Sequence, residues 1–337
     1  SVKELTRAVL STKYVTGAST GNFNTTIGLP LSFFNGLDQM THFVAEMGLG
    51  DPGDIDRLTA LAPLDVAVIT HIGISHLERM GSQRAIQREK GRILLGLKTH
   101  GTAVLNGDDP LVRELGAQAA PHEVLWYGRY DNAAARIEQA ELTAHGTAMQ
   151  FDLLGTKISL VLPWFGVHQA ENVAAALLIG RVQGVPVADM VEALEHMPEQ
   201  AARLQIIQTP YVRLVADYYN ANPDSTRAAL AVLSVQPGRK IAVLGDMLEL
   251  GQASESGHRQ VGRAARKIAD YVVAVGPQAR WIAEEVGTSA VWCQTVDEAR
   301  QWLGSHLALQ DAVLLKASHA MHFDRLAEHI KRWEGPA

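Results

Sequence analysis

The sequence predicts an α/β protein made of two parallel-sheet domains. Three observations carry that expectation. Short apolar runs alternate with amphipathic helical patterns along most of the 337 residues. The runs are apolar throughout, as strands covered on both faces are, and do not alternate apolar with polar. The alternation halts at the polar stretch PEQAAR and then restarts, which places a domain boundary near Leu204, with one domain over 1–204 and the other over 205–337.

The elements follow in order. SVKELTRAVLSTKY is a helix with Leu5, Val9 and Leu10 on one face and no capping residue ahead of it. HFVAEMG, DVAVIT and GTAVLN read as strands, and DIDRLTALA, SQRAIQREKGRILLGL and PLVRELGAQAA as the helices between them. From Arg136 to Leu162 the pattern is strand-like without helices and turns at Gly146 and Gly155, a small antiparallel addition. Two helices follow, HQAENVAAALLIGRVQG and VADMVEALEHM. Beyond the linker the strands are VRLVADYY, KIAVLGDM, YVVAVG, SAVWC and AVLLKAS, separated by helical patterns, which gives a doubly wound, Rossmann-like domain.

Composition narrows the function. With 47% hydrophobic and 20% charged residues the chain can bury a substantial core. Its formal net charge of −6 argues against nucleic acid or an anionic membrane as partner, since both select clustered Lys and Arg. The single Cys293 excludes an intrachain disulfide and a Cys-based zinc site, and a cytoplasmic setting fits. The longest apolar run, NVAAALLIG, is too short for membrane insertion.

Ligands of open parallel sheets bind beyond the carboxyl ends of the strands. There the sequence sets Glu46, Thr70 to His76, and Asn106 with Asp108 and Asp109 in the first domain. In the second it sets Asp217 to Asn222, Gly245 to Met247, and Lys316 to His319. Glu46 and His76 at adjacent strand ends can share a hard divalent cation, or His76 can be an ordinary loop residue. Lys90, on the helix after His76, reads as a solvated lysine unless it is converted to an anion, because an ammonium facing a cation is repelled. DYYNANPDS reads as an Asx-rich strand-to-helix turn, with Asp217 also in the position that Rossmann-like sites use for ribose hydroxyls.

Taken together these stretches resemble the Mur ligases, and within them the MurF type. GNFNTTIGLPLSFF is similar to that family's GNxNNxIGxPLxLL, AEMGLGDPGDI to its E-x-G segment, and ITHIGISHLERMGS to TNIGxAHLExFGS. EKGRI, LNGDDP, GVHQAENVAAAL, DYYNANPDS, VLGDMLELG and LLKASH continue the series in order, and such an ordered set is far more specific than one motif.

The resemblance implies a central P-loop-type ATPase-like domain followed by a Rossmann-like C-terminal domain. It implies an ATP-dependent ligase of peptidoglycan precursor synthesis that adds D-alanyl-D-alanine to UDP-N-acetylmuramoyl-tripeptide through an acyl phosphate, working as a cytoplasmic monomer. By position, Glu46 and His76 would bind Mg²⁺ and Lys90 would be carbamylated beside it, which turns its charge negative. Asn172 would contact adenine, Arg203 and Lys316 the phosphates, and Asp217 the ribose. Gly21, Asn22, Asn24, Thr25 and Thr26 would lie by the UDP-sugar-peptide, and Asn220 and Asn222 belong to the signature loop.

Several positions depart from the pattern: Gln169 for Asn, Arg92 for Glu, His71 for Asn, and Ala317 with His319 where Lys-Gly-Ser-Arg is expected. The family's phosphate loop, GxxGKT followed at once by S-V-K-E, does not occur, so the resemblance implies that Ser1 follows directly on it and that this chain alone is inactive. The missing loop keeps a rival open, a non-catalytic Mur-like binding module. A folylpolyglutamate-type amide ligase is a second rival, less similar at DYYNANPDS.

Overall fold

The structure is a computed structural model that describes residues 1–21, 23–34, 39–73, 77–143, 146–198, 204–248 and 250–335. The chain forms two compact units, Ser1–Pro163 with Val167–Pro198, and Trp164–Gly166 with Glu199–Ala337.

In the first unit α1 (Val2–Ser11) leads into β1 (Thr16–Ala18), α2 (Gly28–Phe34), β2 (His42–Val44), α3 (Asp54–Leu61) and β3 (Leu64–Ile69). Then come α4 (Leu77–Met80), α5 (Gln83–Gly91), β4 (Leu97–Asn106), α6 (Pro110–Leu115) and β5 (Glu123–Gly128). The strands β6 (Ala135–Thr143), β7 (Gly146–Leu153) and β8 (Thr156–Leu162) precede α7 (Gln169–Val182) and α8 (Val187–Glu195). One sheet runs β3-β4-β5-β6-β7-β8, parallel as far as β6 and antiparallel from there.

The antiparallel strands are the expected addition to the first domain and extend its sheet, because β6 pairs in parallel with the end of β5 at Tyr127 and Gly128. Two features differ from the expectation. Among the described residues β2 pairs with β1 in its own two-stranded parallel sheet, Thr16 opposite His42. The expected long helix also breaks: α5 stops at Gly91 and a 3₁₀ turn carries Arg92–Gly96.

Local chemistry accounts for the starts. Ser82 Oγ accepts Ala85 N–H to open α5, and Asp109 Oδ1 accepts Leu111 and Val112 N–H to open α6, with Pro110 in the first turn. No side-chain cap closes α1, in line with the uncapped start read from its sequence. Helix α7 is apolar on every side over Val173–Ile179 and is accordingly buried throughout that stretch.

The second unit contains β9 (Gln205–Gln208), β10 (Arg213–Asp217), α9 (Pro223–Ser234), β11 (Lys240–Gly245), α10 (Ser254–Ala265) and β12 (Tyr271–Val275). It closes with α11 (Arg280–Val286), β13 (Ala290–Cys293), α12 (Val296–His306), β14 (Ala312–Lys316) and α13 (Asp324–Lys331). The sheet order is β13-β12-β11-β14-β10-β9. The five strands expected from sequence are parallel, and β9 adds an antiparallel edge to β10. Val243, Val273, Val313 and Leu315 from the central strands pack against Phe323, Leu326 and Ile330. Among the described residues no helix is long and apolar enough to cross a membrane.

Candidate active site

In the first unit the polar residues gather past the strand ends in two groups. The first surrounds the loops after β1 and β2. Ser19 Oγ accepts the Glu46 N–H across 3.0 Å, and Asn24 Nδ2 donates to Glu46 Oε1 across 3.2 Å. The loop that carries the GNFN motif thus holds Glu46 at two points, Ser19 on its backbone amide and Asn24 on its exposed carboxylate. Behind that loop Lys3 of α1, 8% exposed, donates to the carbonyls of Ser19 (2.6 Å) and Gly21 (2.9 Å). Thr25 Oγ1 accepts Gly28 N–H at the start of α2, and Thr26 is half-buried beside it.

The second group lies past β3, β4 and β5. Lys90 Nζ donates to the carbonyl of His71 at 2.6 Å. Burial pushes the Lys90 ammonium below its usual range, against the opposing charge of Asp109. His71 Nδ1 lies 2.7 Å from Asp109 Oδ2, which also accepts Ile72 N–H at 2.8 Å. Burial by itself would raise the pKa of Asp109. The bonds from His71 and from the Ile72 and Val112 amides outweigh it and bring the carboxyl down to about 2. Asn106 Nδ2 donates to Thr70 O (2.8 Å) and approaches Glu171 Oε2 (3.4 Å) on the first turn of α7. Burial, and then the charge of Asp108, hold the Glu171 carboxyl above its ordinary value. On the same turn Asn172 Nδ2 donates to Gln169 Oε1 at 2.8 Å, so the glutamine that departs from the family pattern engages the asparagine expected at adenine.

In the second unit the corresponding residues stand at the ends of β10, β11 and β14. Asp217 and Lys316 are register partners on adjacent strands, with Oδ2 and Nζ 2.9 Å apart, and Lys316 Nζ also donates to the Asn220 carbonyl. Asn222 caps α9 through a reciprocal pair of bonds with Ser225, of 2.8 and 3.1 Å. Past β11, Asp246 Oδ1 accepts the amides of Gln278 (3.0 Å) and Ala279 (2.7 Å), and Ser318 Oγ accepts Leu248 N–H.

The two units repeat one device. Asp108 accepts the Arg129 amide across the positive-φ Gly128, and Asp246 accepts the amides that follow the positive-φ Gly276. A Cβ on either glycine would sit 2.6 Å from the carboxylate, so each aspartate lies flush on a glycine backbone.

The described residues therefore bring Asn24 to Glu46, and Asp217 and Asn220 to Lys316. Asn22, His76 and Arg203 lie outside the described residues. Among the described residues no group of three or more His, Cys, Asp or Glu is gathered in a metal-binding arrangement. Sequence reasoning missed Lys3 and Glu171. Lys3 carries a signal, a lysine among the buried positions of α1, whereas Glu171 carries none, because a glutamate in a first helical turn is commonplace.

Known proteins are similar to this chain along nearly its whole length. The Mur ligase middle domain matches residues 1–180, and the Mur ligase, glutamate ligase domain matches residues 202–319. The UDP-N-acetylmuramoyl-tripeptide–D-alanyl-D-alanine ligase of Bacillus subtilis is 31% identical over 98% of this chain and 73% of its own length. That of Escherichia coli is 32% identical over 85% of this chain and 64% of its own. The chain thus spans about two thirds of these relatives. The crystal structure of MurF from Thermotoga maritima in complex with ADP superimposes with a TM-score of 0.89 at 28% identity, covering 98% of this chain and 76% of that one.

Proposed function

The chain belongs to the Mur ligase family, and from that premise we propose that it acts as a MurF-type ligase in peptidoglycan precursor synthesis, joining D-alanyl-D-alanine to UDP-N-acetylmuramoyl-tripeptide with ATP. In this reading it works in the cytoplasm as a monomer, with domains over 1–204 and 205–337. The peptide carboxylate attacks the γ-phosphorus of ATP, a C–O–P linkage forms, and the bond to ADP breaks. The amine of the dipeptide then attacks the acyl carbon, and phosphate departs from the tetrahedral intermediate as the amide forms.

The first step brings two anions together, so the residues that count are those that neutralise or orient charge. Glu46, His76 and a carbamylated Lys90 would hold Mg²⁺, which supplies Lewis-acid neutralisation of phosphoryl charge when bound. The two described residues, Glu46 and Lys90, have chemistry that suits such a group. Glu46 offers an exposed carboxylate steadied by Asn24, the donor type a hard cation takes. Lys90 must be neutral to take up CO₂, and its burial favours the neutral amine. Asn172 is assigned to adenine and Asp217 to ribose. Gly21, Asn22, Asn24, Thr25 and Thr26 are assigned to the UDP-sugar-peptide, Arg203 to phosphate, and Asn220 and Asn222 to the acceptor side.

The observation that supports the reading best is Lys90, a lysine of lowered proton affinity held beside a strand end. The names and identities of the relatives favour it over a folylpolyglutamate-type ligase. The test is phosphate release from ATP by a polypeptide in which a GxxGKT loop precedes Ser1, given UDP-muramoyl-tripeptide and a panel of amines. D-alanyl-D-alanine should support turnover and glutamate should not. Turnover with glutamate alone, or with neither, would displace the assignment.

A further inference from the structure

Lys316 closes β14 and is 2% exposed. Among the partners of its ammonium are the Asp217 carboxylate at 2.9 Å, directly across the parallel register, and the main-chain carbonyl of Asn220. The Asp217 side chain is itself only 11% exposed. Withdrawing a buried ammonium from a buried carboxylate removes charge compensation in a poorly solvated site. A phosphate that recruited Lys316 would draw it away from the Asp217 carboxylate and the Asn220 carbonyl.

The loop that Lys316 touches is also held at Tyr218, which packs against the core of the unit, at Tyr219, whose ring meets that of His319 edge-on, and at its far end. There Asn222 and Ser225 exchange the bonds of the capping box, and Ala221, 4% exposed, is packed beneath. Asn220 Oδ1 turns back on the Ala221 amide at 2.8 Å, which does not tie Asn220 to the sheet. The bond from Lys316 does.

We propose that Lys316 is a positioning residue: with Asp217 it forms an internal strut that fixes the backbone at Asn220 and so presents Asn220 and Asn222 to the acceptor dipeptide, and it does not contact the nucleotide phosphates. The acceptor part rests on the ligase reading above; the strut itself does not.

The test compares Lys316→Met, which removes the donor, with Lys316→Gln, which keeps an N–H donor but no charge. Hydrogen exchange of the chain reads the strut. Amides of 218–222 should exchange about tenfold faster or more in Lys316→Met, since a bond from a charged donor is lost, and should recover part of their protection in Lys316→Gln. Should Lys316→Met fail to fold, the Asp217→Asn/Lys316→Met variant, which removes both charges, gives the same reading. In the loop-bearing polypeptide, Lys316→Met should raise the KM for D-alanyl-D-alanine about tenfold and leave that for ATP within about twofold. Unchanged exchange at 218–222 would overturn the strut. A KM for ATP raised equally by Met and Gln, with that for the dipeptide unmoved, would return Lys316 to the phosphates. If the parent polypeptide does not ligate D-alanyl-D-alanine at all, the ligase reading fails, and exchange alone decides the strut.

Discussion

Asp109 Oδ2 sits 2.7 Å from His71 Nδ1, while Asp109 Oδ1 caps α6 through the amides of Leu111 and Val112. One buried carboxylate thereby joins the chain past β3 to the helix past β4, and both connections favour its ionised form.

Acid should therefore loosen the first unit through Asp109. Its folded pKa of about 2 lies below the ordinary 3.8, so the stabilisation is present above 3.8 and is lost as pH falls through that value towards 2. The shift corresponds to about 2 kcal/mol. Asp109→Asn should cost about that much at neutral pH and flatten the acid limb of a urea-denaturation series. An acid limb identical to the parent's would remove Asp109 from the account.

His258 should give the second unit its own pH dependence. Fully buried, it accepts the Met247 N–H at Nε2 (3.0 Å) and donates from Nδ1 to the Ser254 carbonyl (2.7 Å), a pattern only the neutral ring supports. Burial lowers its pKa below 6.5, with the Ser254 carbonyl opposing. Between its folded value and 6.5 the unfolded chain binds the proton and the native state does not, so stability falls as pH drops below 6.5. His258→Gln should weaken that slope, as read from thermal melting across the window. A slope unaltered by the substitution would contradict this.

Gly276→Ala should destabilise through backbone and carboxylate together. Its φ of +108° is poorly tolerated by alanine, and the new methyl would meet Asp246 Oδ1 at 2.6 Å, displacing the acceptor of the Gln278 and Ala279 amides. A cost on the order of 1–3 kcal/mol is expected, visible as a lowered melting temperature. An unshifted melting temperature would mean that the aspartate–glycine contact bears no weight.

Much of this was legible in the sequence because strands buried on both faces announce themselves as apolar runs, and the rule that sites lie past strand ends then picks out Glu46, Asn106, Asp217 and Lys316. Short or half-exposed strands escaped. Gln205–Gln208 carries little strand signal because its two isoleucines are flanked by glutamines, and Thr16–Ala18 is too brief to carry a period. EVLWYG, which becomes β5, ends in the glycine that receives Asp108, a reason for that glycine invisible without the register. The sequence also places Asp217 and Lys316 in separate motifs with separate roles. Only the parallel pairing of β10 with β14 makes them partners.

The most direct test of the ligase account is Lys90→Ala in the polypeptide with a phosphate loop ahead of Ser1, assayed for ligation of D-alanyl-D-alanine with and without added short carboxylic acids. The account predicts a fall on the order of 100-fold, as for removal of one preorganised charge, with part of the activity restored by the free acid standing in for the carbamate. Unchanged turnover in the variant would contradict it.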